Sequence, residues 1–480
     1  MDFAKIKRHD WIITIISFII LTVGAFIIFS TTYNASSETA GAGSFPKQII
    51  FIIFGLVCYF LLTMIDFTWF QNNTVLKILY GIIILLLIYV KFFGTQIADT
   101  NRWIDIGFFS LQPSEYAKIV IILITAGMFT IKNKVVSDKV IKFHQTAKVS
   151  SFLQRITGNL QESFPFIYRL LANALVVLPI VFMILSQPSL GNALITIVLW
   201  LIMIMLLIPA AEQGKVLIFF TTLTLSITIF TQFFTYNQDT GNFELLTSYA
   251  NLNFLVIGAC LILMGLIFLF LKIQPATAFF FIGLALFLSL VFIFSWNQVL
   301  KPYQKDRVAT FLQGPEADPL GSGFQVIQSR IAIGSGRLSG RGFLQGTQSS
   351  LNVLTQAHTD FIFAALSEQL GFIGAGIILL LYAVLILRII RIGMHCTNNF
   401  GKFTALGIAV LLLIHIFINI GMNLGKFPVT GIPLPLMSYG GSATLMTLIG
   451  LGIVQSIGSS RKSIDIADNL MLRSRSLQLT

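Results

Sequence analysis

Hydrophobic runs of about 20 residues, the length a helix needs to cross a bilayer, recur along this chain with short polar stretches between them. The pattern predicts spans at roughly 11–30, 48–65, 75–93, 115–131, 168–186, 191–208, 215–234, 252–272, 277–295, 362–387, 403–424 and 440–458, about twelve in all. The architecture expected is all-α, a polytopic helix bundle making one multi-pass membrane domain over residues 1–480. The spans 252–272 and 277–295 are separated only by a turn from Lys272 to Pro275, so they read as a hairpin added to a ten-helix core. One stretch breaks the rhythm. From Gly321 to Gly374 the chain carries clustered glycines, Arg330, Arg337 and Arg341, and the triplet His358-Thr359-Asp360, with apolar helices on both sides. Polar groups beside hydrocarbon are costly, so such a segment lines a cavity or an aqueous face.

Composition agrees with the pattern. Of 480 residues 56% are hydrophobic and 10% charged, where a soluble domain carries about 25% charged residues. The net charge of +12 does not point to nucleic acid, because the basic residues fall in short loops. They mark topology and contact with anionic lipid headgroups. Lys5, Lys7 and Arg8 precede the first span, which is too long for a signal peptide and lacks a small-residue cleavage site, so it is read as retained. Lys132, Lys134, Lys139, Lys142, Lys148 and Arg155 fill the 132–166 loop, Arg388, Arg391 and Lys402 the 388–402 loop, and Arg461, Lys462, Arg473 and Arg475 the 459–480 tail. With an even number of spans all four lie on the cytoplasmic side, and both termini are cytoplasmic. The large 296–361 loop, which precedes the tenth span, then faces outward with 31–47, 94–114, 187–190, 235–251 and 425–439. Cys58, Cys260 and Cys396 have neither metal spacing nor the look of a disulfide framework.

That sidedness constrains the chemistry. Nucleotides are not available outside, so a reaction there draws its energy from the substrate, for instance from a lipid-linked pyrophosphate leaving group. Glu115 and Lys118, in the first turn of the fourth span, read either as a cap with its partner or as the wall of a polar groove. Gln187-Pro188-Ser189-Leu190-Gly191-Asn192 reads as a tight outer turn. The run Gly334–Gly342 follows no strand, which rules out a dinucleotide fingerprint. Its arginines can hold phosphate oxygens, or meet lipid headgroups as part of an amphipathic re-entrant segment. Thr359 or Asp360 suits a helix N-cap, while Glu368 lies near the same face as Asp360 and roughly 12 Å deeper. An ionisable residue there is a functional candidate. His415 and Asn419 are expected to make interhelical hydrogen bonds, and Gly431–Ser442 to form a rigid non-helical turn beside the polar segment.

The stretches NRWIDIGFFSLQPSE, QPSLGNAL, AIGSGRLSGRGF, AHTDFIFAALSEQLGFIG and NIGMNLGKFPVTGIPLPLMSYGGS, in this order from about residue 100 to the last span, resemble the SEDS family (shape, elongation, division and sporulation) of bacterial wall synthases. QSRIAIGSG followed by Gly346-Thr347-Gln348 is closer to its elongation members than to its division members. The resemblance implies a peptidoglycan glycosyltransferase of the bacterial cytoplasmic membrane that polymerises lipid II into glycan strands at the outer face during elongation and releases undecaprenyl pyrophosphate. Its partners would be a class B penicillin-binding protein and other elongation-complex membrane proteins. The family's essential aspartate falls on Asp360, and its Arg-Trp and Gln-Pro-Ser-Glu motifs on Arg102, Trp103, Gln112 and Glu115. The substrate contacts expected are Arg102, Trp103, Gln112, Glu115, Lys118, Gln187, Arg330, Arg337, Arg341, Gln348, His358, Glu368 and Ser438. This chain departs from the family at Ser189 and Gln356, where carboxylates are usual, at Arg337, where the second glycine of a pair is usual, and in the added hairpin.

The reaction expected is a single displacement with Asp360 as general base and arginines on the departing pyrophosphate. No nucleotide or metal motif is visible, although a divalent cation between acid and pyrophosphate is compatible with these residues. Two other classes fit part of the pattern, a lipid II flippase and a non-catalytic scaffold of a wall-synthesis complex. A flippase needs a polar path through the whole bilayer, whereas the polar features here gather at one face.

Overall fold

A computed structural model describes residues 9–33, 43–130 apart from five loop positions, 165–208 apart from residue 188, 234–237, 242–245, 254–270 and 314–478 apart from four positions, with isolated residues between 221 and 311. Residues 1–206 and 310–480 make one compact unit and 207–309 a second. In the first unit the helices are α1 (Trp11–Thr32), α2 (Ser44–Met64), α3 (Asn73–Phe93), α4 (Pro113–Thr130), α5 (Pro165–Ser186) and α6 (Leu190–Leu207). Between α3 and α4 run three short antiparallel strands, β1 (Thr95–Ile97), β2 (Thr100–Asp105) and β3 (Ser110–Leu111). The second unit holds a hairpin of β4 (Phe234–Asn237) and β5 (Asn242–Leu245), then α7 (Phe254–Phe270). The chain returns to the first unit with α8 (Phe324–Ser335), the short α9 (Thr347–Ser350), α10 (Ile362–Met394), α11 (Asn399–Asn423) and α12 (Gly441–Gln478).

Eight of the described helices are long and apolar enough to cross a membrane, and the chain is a multi-pass membrane protein of helical fold. Helix α4 begins on Pro113, where the missing N–H costs nothing and the fixed φ suits a first turn. It is buried along most of its length, among its neighbours rather than against lipid. The expected spans 277–295 and most of 215–234, the second half of the hairpin and the 132–166 loop lie outside the described residues, apart from a few positions at their edges. The 94–114 and 235–251 connections carry the β-hairpins, which helical periodicity does not reveal. Their cause is local: in β1–β2 only Ala98 and Asp99 separate the paired strands.

The larger correction concerns α10. The hydrophobic pattern reads as one span from 362, but Gly371 takes φ 67 and ψ −168 and divides the helix. Phe372–Met394 alone rises about 34 Å at 1.5 Å per residue, enough to cross the hydrocarbon core. The preceding half-helix, Ile362–Leu370, is buried except at its last residue. The loop from Gly336 to Gly342 closes the break from both directions. Arg341 and Gly342 donate their amides to the carbonyls of Glu368 and Gln369 at 2.9 and 3.1 Å. The carbonyls of Arg337 and Leu338 accept from Phe372 and Ile373 at 2.8 and 3.1 Å. These are the groups a helix interruption leaves without partners, so the loop replaces what the break removes. Its glycines serve that close approach. A Cβ on Gly336 would lie 1.9 Å from the Ser367 carbonyl oxygen, and one on Gly340 2.1 Å from that of Gln369.

Candidate active site

Helix α10 does not begin as the residue types suggest. Its N-cap is Phe361, which makes no side-chain capping bond, so neither Thr359 nor Asp360 is the cap. The cap comes from another helix: Asn423 Oδ1 accepts from the Ala364 amide at 3.2 Å. The same side chain, through Nδ2, donates to the Asp360 carbonyl at 3.1 Å, and Asn419 Nδ2 donates to that oxygen at 2.9 Å. Asn419 also reaches the Ile432 carbonyl at 2.7 Å. Two amides one helical turn apart on α11 thus hold Asp360's main chain, and Asn419 ties it to the Pro-rich turn. Asp360 is half-buried, and its Oδ2 lies 3.5 Å from where a Cβ on Gly431 would be.

Neighbouring residues fix the turn. Ser438 Oγ donates to the Thr359 carbonyl and accepts from the Leu434 amide, each at 2.7 Å, and Tyr439 donates its amide to the His358 carbonyl at 2.9 Å. The His358 and Tyr439 rings stand 5.7 Å apart. Burial holds the His358 imidazole below its ordinary value, and burial raises the Tyr439 phenol, against a hydrogen bond from Ser44 that lowers it. Ser329 Oγ donates to the Asn423 carbonyl at 2.9 Å. The next residue, Arg330, passes beside Gly425 and pairs with exposed Glu316 at 3.1 Å.

A second cluster lies on the same side of α11. Lys118 is fully buried and donates to Glu115 Oε1 at 2.9 Å, Asn192 Oδ1 at 3.1 Å and His415 Nε2 at 3.0 Å. An ammonium has donors only, so His415 accepts through Nε2. Glu115 Oε2 is buried without a hydrogen-bond partner. His415 sits one turn before Asn419, and Gly191 of α6 packs on the Thr430 carbonyl, where a Cβ would fall at 2.6 Å. The two clusters therefore share α11 and the Thr430–Gly431 backbone.

The other sequence candidates fall into place around these two clusters. The Gln112 amide donates to Ser442 Oγ at 2.8 Å. Arg102 Nε donates to the Gln187 carbonyl at 3.2 Å, and Gln187 Nε2 to that of Leu87 at 2.9 Å, which knits β2, with its half-buried Trp103, to α3 and to the residue that follows α5. Arg337, Arg341, Gln348 and Glu368 gather at the break in α10. There Glu368 Oε1 accepts from the Thr347 amide at 2.7 Å and the Gln348 amide at 2.9 Å. The rise of the half-helix, roughly 12 Å, lies between them and Asp360. The sequence reading missed Asn423, Ser329 and Asn192. A signal existed for the first: His415, Asn419 and Asn423 recur every fourth residue in an otherwise apolar run, which places them on one face. Among the described residues no group of three or more His, Cys, Asp or Glu side chains is placed to hold a metal ion.

Fold and site together define a polytopic helical membrane protein with a polar site at one end of its bundle. The chain belongs to the family of cell cycle proteins that includes FtsW, RodA and SpoVE, whose model matches residues 10–258 and 255–463. It is 31% identical over 446 residues to the peptidoglycan glycosyltransferase MrdB of Escherichia coli K12, covering 93% of this chain and 94% of that one. To the peptidoglycan glycosyltransferase RodA of Treponema pallidum it is 30% identical over 477 residues, covering 96% and 99%. Among solved structures it resembles a chain from a peptidoglycan synthase complex that coordinates polymerization and crosslinking, with a TM-score of 0.56 and 26% identity over 94% of this chain and 98% of that one. The rod shape determining protein RodA of Thermus thermophilus shares the fold, with a TM-score of 0.51 and 20% identity over 94% and 97%.

Proposed function

We propose that this chain is a peptidoglycan glycosyltransferase of cell elongation, polymerising lipid II at the outer face of the bacterial cytoplasmic membrane. The observation that carries the reading is the fixing of Asp360. Two asparagines hold its main chain, while its half-exposed side chain stands at the mouth of the bundle beside Gly431. A positioned carboxylate accepts the proton of the acceptor sugar hydroxyl as that oxygen bonds to the donor's anomeric carbon. The bond from that carbon to the pyrophosphate oxygen breaks, and undecaprenyl pyrophosphate leaves with the bonding electrons. Of the arginines, Arg330 is assigned to the leaving group. It neighbours Ser329, which contacts Asn423, and its pair with exposed Glu316 is of the kind that yields at little cost. His358, Ser438, Gln112 and the Glu115–Lys118 pair form the walls. Arg102 and Trp103 of β2, with Gln187 just past α5, support the site.

The domain organisation follows the same reading: a single multi-pass domain, the basic 132–166 loop and 459–480 tail in the cytoplasm, the 296–361 loop outside and 252–295 an added hairpin. The partner is a class B penicillin-binding protein that crosslinks the product. The test is lipid II polymerisation by purified Asp360→Asn with its partner present. A missing general base lowers the rate by about 10² to 10⁴-fold. Since Asp360 does not cap α10, expression and melting temperature stay those of the parent. Activity within a few-fold of the parent would move the base elsewhere, and exchange of lipid II between leaflets without polymer would favour a flippase.

A further inference from the structure

The loop that closes the break in α10 also presents a surface of its own. Helix α8 ends on Gly336, and Arg337 follows with φ 47. This is the position just past a helix end where glycine is the ordinary choice, because a Cβ makes the left-handed conformation costly. A cation near a helix C-terminus is favourable, but an arginine at position 335, two residues earlier and still helical, would offer the same benefit without the strain. An arginine at such a place points to a use for its side chain.

The surroundings identify the use. Leu338 is 67% exposed, and its carbonyl bonds to Ile373, which with the 72% exposed Phe372 opens the membrane-crossing half of α10. Phe343, also exposed, meets the outward-facing ring of Phe26 on α1 at 6.2 Å. The loop thus joins the apolar outer surfaces of two spanning helices into one patch. Arg337 and Arg341, both exposed, flank that patch where α10 enters the hydrocarbon. Apolar side chains beside arginines at that level form the arrangement of an interfacial segment, with cations at the phosphates and apolar groups below.

We infer that Arg337–Phe343 is a lipid-docking loop: Leu338 and Phe343 enter the acyl edge of the adjoining leaflet, and Arg337 and Arg341 hold the headgroup phosphates of anionic phospholipid. It rests on the membrane-spanning reading of α10 and not on the reaction at Asp360. The first test uses the full chain with Cys58, Cys260 and Cys396 replaced by serine, carrying a nitroxide on Leu338→Cys, in nanodiscs of phosphatidylcholine with phosphatidylglycerol. Relaxation of the label by oxygen, and little by an aqueous nickel chelate, is expected. Dominant relaxation by the chelate would overturn the proposal.

The second test measures melting in detergent as phosphatidylglycerol is added. The parent is stabilised. Arg337→Gly starts about 2 °C higher without lipid, because the strain is gone, and gains less from the lipid. Arg337→Lys keeps part of the gain, since lysine retains the charge but not the fork. Equal gains by the parent and Arg337→Gly would refute the assignment. So would an Arg337-dependent gain from inorganic pyrophosphate in place of phosphatidylglycerol, which would return the loop to the substrate site. Neither measurement involves polymerisation, so failure here and failure of the Asp360 reading are separate events.

Discussion

Asp360 and Glu115 are both carboxylates beside α11, and the structure treats them in opposite ways. Glu115 is 2% exposed, its side chain committed to a buried ammonium that two further groups also hold. At Asp360 the main chain is held by Asn419 and Asn423, and the residue is half-buried rather than sealed. A charge sealed in an ion pair serves position, because moving a proton there disturbs a buried partner. A charge on a fixed backbone with an accessible tip can take up a proton and release it. On the proposed function, the first carboxylate serves structure and the second chemistry.

The assignment can be broken by its largest consequence. Lys118→Met strands the Glu115 carboxylate and is expected to cost about 3–5 kcal/mol of stability. Adding Glu115→Gln should recover most of that loss, read as melting temperature and monodispersity in detergent. Equal stability of the single and double variants would mean that the pair is not a buried charge couple. Asn423→Ala removes the cap of α10 and one of the two bonds to Asp360, and should cost about 1–3 kcal/mol. Polymerisation should fall more than stability explains, because a small misplacement costs about 10²-fold. Loss of stability with unchanged turnover per folded molecule would separate the asparagines from the chemistry.

Smaller effects sharpen the same contrast. Gly340→Ala meets the Gln369 carbonyl and a φ of 81, whereas a Cβ on Gly334 meets nothing within 4 Å. The first should destabilise by about 1–3 kcal/mol, the second should stabilise α8 by up to about 1 kcal/mol, and melting curves of the two compare them. His358 supplies the smallest. Its imidazole is held below the ordinary 6.5 by burial, so between those values the unfolded chain binds the extra proton. Its burial costs no stability above pH 6.5, and stability is lost as pH falls from there through the lowered folded-state value. His358→Gln should flatten the melting-temperature profile on the acid side.

The fold was legible wherever one run of apolar residues made one helix. The helices at 11–32, 73–93 and 399–423 follow that rule. It failed at Gly371, because a glycine in an apolar run looks the same whether the helix continues or stops. What stops it is a loop some thirty residues earlier in the chain, and periodicity carries no record of such contacts. The cap of α10 was misjudged for the same reason: Thr359 and Asp360 are good local caps, but Asn423 reaches across from α11. The His358-Thr359-Asp360 triplet stood out as a candidate because it sits where hydrophobicity resumes.

At the end of the bundle away from Asp360, the beginning of the chain is fastened to its last span. Gln455 accepts from the Asp10 amide at 3.0 Å and donates to the Asp10 carbonyl at 2.7 Å and the Tyr59 hydroxyl at 2.9 Å, while Arg388 pairs with Asp10 at 2.8 Å. These partners are more than three hundred residues apart in the order of synthesis. The ribosome delivers α1 and α2 long before Arg388 and Gln455 exist, so their polar feet wait at the membrane surface until the final helix arrives. These contacts act as a two-stage latch: Arg388 can take hold of Asp10 as soon as α10 is in place, and the Asp10 main chain and Tyr59 gain their Gln455 bonds only when α12 joins the bundle.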